Sequence, residues 1–259
     1  MKNLLKKSFA TALLACGLLS LQASHAAPVQ DLKGKNVVLV HGAFADGSSW
    51  EKVIPLLEAR GLHVVAVQNP LSSLADDAAA TKRAIDAQNG PVVLVGHSWG
   101  GVVITEAGND DKVKALVYVA AFAPDNGQSI NEMLKGKPAP VWAAELHKDS
   151  ANFLTLSTKA INEDFAQDLT ASQKQVVDAT QGPWAAGCTD DKVTEAAWHT
   201  KPSYFVVAGQ DHMIDPRLQE SMATQIKANV IKVNSSHVAM VSQPKVVADA
   251  IIAAASKVQ

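Results

Sequence analysis

The chain has 259 residues, of which 47% are hydrophobic and 19% are charged, a balance typical of a globular protein with a substantial core. Lysine and arginine number 23 against 25 acidic residues, so the sequence offers no basic excess for a nucleic-acid partner. No linker-like stretch, charge run or internal repeat divides the chain, and we therefore expect a single domain over residues 27–259.

The N-terminus has the pattern of a secretory signal peptide, predicted over residues 1–26. A short basic segment precedes an apolar run without charges, which is too short for a stable membrane span. Ser24 and Ala26 stand at the positions that a signal peptidase reads, so the mature chain is expected to begin at Ala27 and to be periplasmic or secreted. Cys16 ends a sequence that approximates a lipoprotein box, so a lipid anchor there is the alternative.

Strands and helices are predicted to alternate along most of the remaining chain. Apolar runs typical of buried strands occur at residues 36–40, 62–67, 92–96, 115–120, 203–208 and 229–233. Helices are predicted at residues 50–60, 76–88, 217–227 and 243–255, and directly after residue 98. This order predicts a parallel sheet connected by right-handed crossovers.

The alternation is lost between about residues 124 and 200, where polar helical segments and chain breaks predominate. Five of the 13 aromatic residues of the chain lie there. These side chains either pack a helical layer onto the sheet or line an apolar pocket beneath a lid. We predict a helical lid over this stretch, with Trp142 and Trp184 in the wall of the pocket.

The most informative segment is Gly96-His97-Ser98-Trp99-Gly100, which lies between a predicted strand and a predicted helix. A turn this sharp forces Ser98 into a strained backbone conformation, and the two glycines allow strand and helix to approach each other. At a helix N-terminus, backbone N–H groups and the helix dipole stabilise a developing oxyanion. We therefore predict Ser98 as a nucleophile, although a structural turn also fits the bare pattern.

A serine nucleophile needs a histidine base that is oriented by a carboxylate, and residues directly after parallel strands meet at one edge of the sheet. His237 follows the last predicted strand and is the expected base. Asp211 follows its strand directly and is the favoured acid, while Asp125, which also follows a strand, is the alternative. His97 precedes the serine and is expected to point away from the site.

Five motifs support an assignment to a known family. They are Val40–Trp50, Gly96–Gly101, Tyr118–Asp125, Gly209–Pro216 and Ser235–His237. Together they resemble the α/β-hydrolases, and more narrowly a small bacterial esterase-like branch related to plant methyl esterases and hydroxynitrile lyases. The order serine, aspartate, histidine is also that of this family. The family's first two strands have no counterpart before residue 36, so the resemblance implies a mostly parallel sheet of about six strands flanked by helices.

The resemblance implies a serine hydrolase of the carboxylesterase type, with Ser98, His237 and Asp211 as its triad. It would cleave a small-molecule carboxylic ester through an acyl-enzyme intermediate, without a metal or an organic cofactor. The oxyanion hole would consist of the backbone N–H groups of Ala43 and Trp99. Phe44 is the alternative donor and is expected to line the pocket.

The sequence is also compatible with three alternatives. They are a lyase on the same fold, a carbon–carbon bond hydrolase on the same fold, and a catalytically silent binding protein. In the related hydroxynitrile lyases a threonine stands where this chain has Gly42, and a lysine follows the catalytic histidine, where this chain has Val238. Since cyanide leaves as an anion, the absence of both groups favours an esterase.

Overall fold

The computed structural model describes residues 32–258. The predicted signal peptide and the lipoprotein box at Cys16 therefore lie outside the described residues. Within residues 32–258, no helix has the length and apolar character that a membrane-crossing segment needs.

A parallel sheet of six strands forms the centre of the structure, in the order β2-β1-β3-β4-β8-β9. The strands, including three in a second sheet, are β1 (Asn36–Val40), β2 (His63–Ala66), β3 (Val92–His97), β4 (Val113–Val119), β5 (Leu146–Lys148), β6 (Phe153–Leu156), β7 (Trp184–Ala185), β8 (Ser203–Ala208) and β9 (Asn229–Val233). Strands β1, β3 and β8 are buried along their whole length, whereas the edge strands β2 and β9 are partly exposed. The six-stranded parallel sheet agrees with the prediction.

Helices flank this sheet. They are α1 (Ile54–Glu58), α2 (Leu74–Asp86), α3 (Trp99–Ala107), α4 (Ile130–Leu134), α5 (Thr158–Ala160), α6 (Ala171–Thr180), α7 (Pro216–Gln225), α8 (Ala239–Ser242) and α9 (Pro244–Lys257). Short 3-10 turns occur at Gly47–Trp50, Val141–Glu145, Ala186–Thr189 and Ala197–His199, and a π-helical turn at Ile161–Phe165. Helices α2 and α3 pack against each other and against β1, while α1 and α9 form a second group.

Two helices begin two or more residues away from the position that the sequence pattern predicts. The helix predicted at residues 50–60 is a 3-10 turn followed by the short α1, because Pro55 lacks an N–H group and fits only the first turn of a helix. Helix α2 begins at Leu74, two residues early, because the hydroxyl of Ser73 accepts a hydrogen bond from Asp76 N at 3.1 Å.

The lid is not purely helical, and this part of the prediction needs correction. Besides α4, α5 and α6, it contains an antiparallel sheet in the order β5-β6-β7. Strand β6 alternates half-buried and buried residues, the period of a strand with one packed face. Ala185 N in β7 donates a hydrogen bond of 2.9 Å to Leu71 O, so the lid sheet is joined to the loop after β2.

Candidate active site

Ser98 forms a sharp turn between β3 and α3, as the sequence predicts. Its backbone angles are φ 51° and ψ −119°, a conformation that costs a non-glycine residue conformational energy. A Cβ atom on Gly96 would clash with the carbonyl oxygen of Gly100, and one on Gly100 would lie 2.6 Å from Val40 O. Gly96 therefore lets β3 approach α3, and Gly100 lets α3 approach the end of β1.

Backbone hydrogen bonds hold this strained turn in place. Ser98 N donates to Val119 O at 3.3 Å, and Ser98 O accepts from Gly101 N at 3.0 Å and from Phe122 N at 3.2 Å. The turn is thus attached to the end of β4 and to the loop that follows it. The Ser98 side chain lies on the wall of a cavity at the carboxyl edge of the sheet.

Asp211 and His237 form a buried pair at the same edge. His237 Nδ1 donates to Asp211 Oδ2 at 2.8 Å, and both side chains are almost completely shielded from solvent. Asp211 Oδ1 accepts from the backbone N–H groups of Met213 at 2.7 Å and Ile214 at 3.0 Å. Because the proton on Nδ1 is committed to the carboxylate, the lone pair of neutral His237 resides on Nε2. His237 lines the same cavity as Ser98.

Asp125, the alternative acid, lies elsewhere. It accepts a hydrogen bond of 2.7 Å from His199 Nε2, and both side chains are close to half exposed. The structure therefore brings Asp211, rather than Asp125, into contact with His237.

The two loops predicted to supply an oxyanion hole converge on the serine. A Cβ atom on Gly42 would lie 2.7 Å from Ser98 Cβ, so the loop after β1 passes directly beside Ser98. Within residues 32–258, the backbone N–H groups of Ala43, Phe44 and Trp99 donate to no other residue. All three residues line the cavity. Unpaired N–H groups beside a serine hydroxyl can bind a negatively charged oxygen there.

The cavity has a volume of about 640 Å³ and a mainly apolar wall. Its aromatic lining consists of Phe44, Trp99, Phe122, Trp142, Phe165 and Trp184. The Trp184 ring lies 5.8 Å from that of Phe44 and 5.5 Å from that of Trp99, while Trp142 Nε1 donates to Met213 O at 3.1 Å. The predicted pocket residues Phe44, Trp142 and Trp184 therefore do line the cavity.

Charged side chains are few in this cavity. Lys137, Asp215 and Arg217 contribute to its lining, and Arg217 Nη2 lies 3.0 Å from Asp215 Oδ2 in an exposed ion pair. Asp215 also caps α7 by accepting from Arg217 N at 2.8 Å. The arrangement suits a largely uncharged molecule beside the serine.

His97 does not line the cavity, but it contacts His237, which the sequence did not indicate. Its Nε2–H donates to the backbone carbonyl of His237 at 3.0 Å, and the two ring centroids are 4.6 Å apart. Burial, reinforced by the neighbouring His237, holds the pKa of His97 well below its usual range. A neutral His97 supports His237 without competing for its proton.

Phe165 and Asp77 make contacts around the site that the sequence did not predict, although Phe165 is one of the five aromatic residues of the predicted lid. Phe165 packs edge-on against the His237 ring at 5.2 Å. The fully buried Asp77 accepts from Trp99 Nε1 at 2.7 Å and from Leu71 N at 2.8 Å, and burial raises its pKa to about 6. Each comes from an element far away along the chain, so no local pattern indicated it.

No group of three or more histidine, cysteine or acidic side chains within residues 32–258 is arranged to hold a metal ion.

Comparisons with known proteins show the family and the fold. Residues 37–250 match the model of the alpha/beta hydrolase family. Methylesterase 2 of Arabidopsis thaliana is 26% identical over 258 residues, covering 87% of this chain and 98% of the other. An alpha-hydroxynitrile lyase of the same plant is 34% identical over 103 residues, 34% of this chain and 40% of the lyase. A pyrethroid hydrolase from Sphingobium faniae JZ-2 superimposes with a TM-score of 0.75 at 20% identity, over 86% of this chain and 98% of its own. The chain belongs to the alpha/beta hydrolase family.

Proposed function

We propose that this protein is an exported serine hydrolase of the carboxylesterase type. The observation that carries the proposal is the buried Asp211–His237 pair, which shares one apolar cavity with the strained Ser98. A histidine oriented by a carboxylate is the base that a serine hydroxyl needs at neutral pH. Relatives named methylesterases support ester hydrolysis rather than another hydrolytic reaction.

The reaction proceeds in two steps. His237 Nε2 takes the proton of Ser98 as the serine oxygen attacks the ester carbonyl carbon. The N–H groups of Ala43 and Trp99 bind the resulting oxyanion, with Phe44 as the other possible donor. His237 then gives the proton to the leaving alcohol, and the serine remains acylated. Water, deprotonated by the same histidine, releases the acid and regenerates the serine.

The substrate is a small, uncharged carboxylic ester. Most of the lining is aromatic or aliphatic, and the ion pair between Arg217 and Asp215 is exposed. A site of this kind binds apolar groups through burial of their surface and leaves orientation to a few polar groups. The acyl and alcohol parts are therefore held by the aromatic wall, with the carbonyl directed at the N–H groups beside Ser98.

Active-site labelling and matched variants test the proposal. A fluorophosphonate probe should label wild-type protein and not Ser98→Ala, and both Ser98→Ala and His237→Ala should lose on the order of a million-fold in turnover of p-nitrophenyl butyrate. Asp211→Asn should lose about 10⁴-fold, because it leaves the imidazole in the wrong tautomer. Asp125→Asn is the control and should retain activity. Full activity of Ser98→Ala would contradict the proposal.

A hydroxynitrile lyase is the rival reaction, and two positions argue against it. Gly42 has no hydroxyl, and its surroundings lack space even for a Cβ atom, which would lie 2.7 Å from Ser98 Cβ. Val238 follows the histidine where the related lyases have a cation, and it is buried and apolar. Cleavage of mandelonitrile together with no hydrolysis of short-chain or aryl esters would favour the lyase. Failure in both assays would favour the silent binding protein.

Export is the remaining part of the proposal, and it rests on the sequence pattern of residues 1–26. Processing should give a chain that begins at Ala27 and is found in the periplasm or the medium. The intact mass of protein purified from its natural host measures this directly. A lipid-bearing chain that begins at Cys16 would show a membrane-anchored enzyme instead.

A further inference from the structure

Gln219 is a polar side chain with no solvent exposure, located in the first half of α7. Its Oε1 accepts from Ala208 N at 3.0 Å, at the end of β8. Its Nε2 donates to Ile214 O at 2.8 Å and to Asp211 Oδ2 at 2.7 Å. The two donors and the acceptor oxygen of this amide are thus all in use, which is what a buried amide requires to be stable.

The oxygen that Gln219 contacts is the one that orients the histidine. Asp211 Oδ2 accepts from Gln219 Nε2 at 2.7 Å and from His237 Nδ1 at 2.8 Å, while Oδ1 is held by two backbone N–H groups. Four donors therefore fix the carboxylate in its plane. Gln219 is the only one of the four that is neither backbone nor part of the proposed triad.

We propose that Gln219 is a positioning residue for ester hydrolysis, acting on His237 through the carboxylate of Asp211. The inference rests on the proposed function, since it assigns a role within that triad. A neutral amide holds the ionised carboxylate without adding a charge to the site. Its other two hydrogen bonds tie it to the end of β8 and to the loop before α7, so the amide itself cannot rotate away. Helix α7 therefore contributes to the orientation of the imidazole through this one side chain.

A purely structural role is the alternative, because the same hydrogen bonds connect α7 to the sheet. The two roles differ in what they change. Loss of a structural link lowers the midpoint of thermal unfolding but leaves kcat of the folded protein unchanged. Loss of a positioning contact lowers kcat of the folded protein and leaves KM unchanged. In a variant that has Asn in place of Asp211, losing the same contact has no further effect on kcat.

The test compares Gln219→Met with Gln225→Met, which makes the same change at an exposed position of the same helix. With p-nitrophenyl butyrate, Gln219→Met should lower kcat by about 10- to 100-fold, the size typical of removing a partner that orients a functional side chain. KM should stay within about twofold, and Gln225→Met should match the wild type. In an Asp211→Asn background, adding Gln219→Met should change kcat by less than about threefold, because the contact is already broken.

Two results would overturn the inference: wild-type kcat in folded Gln219→Met, or an equal loss from Gln219→Met in both backgrounds. If Gln219→Met does not fold, Gln219→Asn keeps a neutral amide on a side chain one methylene shorter, whose nitrogen no longer reaches Asp211 Oδ2. Its kcat should again fall, and an unchanged kcat in folded Gln219→Asn would reject the role. Ser98→Ala separates the two proposals. If Ser98→Ala remains active, the proposed function fails, whereas an inactive Ser98→Ala with a normal Gln219→Met rejects the positioning role alone.

Discussion

The buried carboxyl of Asp77 makes a specific prediction about stability and pH. The side chain has no solvent exposure, and its two oxygens accept from Leu71 N and Trp99 Nε1. Burial raises its pKa from 3.8 to about 6, because two neutral donors do not replace the hydration of a charge. The folded protein thus binds this proton more tightly than the unfolded chain does.

The pH dependence of the free energy of unfolding follows from the difference in proton binding between the folded and the unfolded state. Between pH 3.8 and about 6 the folded state holds a proton that the unfolded state has lost, so the contribution of Asp77 to stability is full below pH 3.8 and declines as pH rises to about 6. At about 1.4 kcal/mol for each pKa unit, the decline amounts to about 3 kcal/mol. Asp77→Asn cannot ionise, so its free energy of unfolding lacks this decline.

Urea unfolding at pH 4, 5, 6 and 7, followed by tryptophan fluorescence and far-UV circular dichroism, measures the effect. The difference in unfolding free energy between wild type and Asp77→Asn should shift by about 2.4 kcal/mol against the wild type from pH 4 to pH 7, because the first part of the decline is already complete at pH 4. The neighbouring Asp76 is the control: hydrogen bonds from Ser72 and Ser73 lower its pKa, so Asp76→Asn should show a small difference of the opposite sign. Parallel profiles for wild type and Asp77→Asn would refute the reasoning.

Two further predictions concern the loop after β1, which passes beside Ser98, and the thiol of Cys188. Gly42→Ala should lower kcat on the order of 100-fold, because the new Cβ would lie 2.7 Å from Ser98 Cβ and must displace it. Gly187→Ala, where no atom lies within 4 Å of the added Cβ, should be neutral, and equal kcat in the two variants would contradict the steric argument. Burial raises the pKa of Cys188 to about 12, so iodoacetamide at pH 8 should alkylate it only in denaturant. Mass spectrometry reads this out, and rapid stoichiometric alkylation of the native protein would contradict it.

The sequence alone predicted the sheet and the side chains that meet at its carboxyl edge. Runs such as Val92–Val95 bury both faces, which predicts strands without knowledge of their neighbours. Residues that directly follow parallel strands share one edge, so Ser98, Asp211 and His237 could be placed together before any distance was known. The glycines around Ser98 also predicted the sharp turn there, because only glycine tolerates the close approach of β3 and α3.

Only the tertiary structure decided which groups surround Ser98, Asp211 and His237. Gln219, Asp77 and Phe165 contact the site from α7, α2 and the lid, and none stands at a position that a period or a motif marks. The strands of the lid were missed for the same reason, because their short segments depend on partners such as Leu71 rather than on their own pattern. Local sequence encodes periodicity and turns, whereas hydrogen bonds between distant segments exist only once the chain has folded.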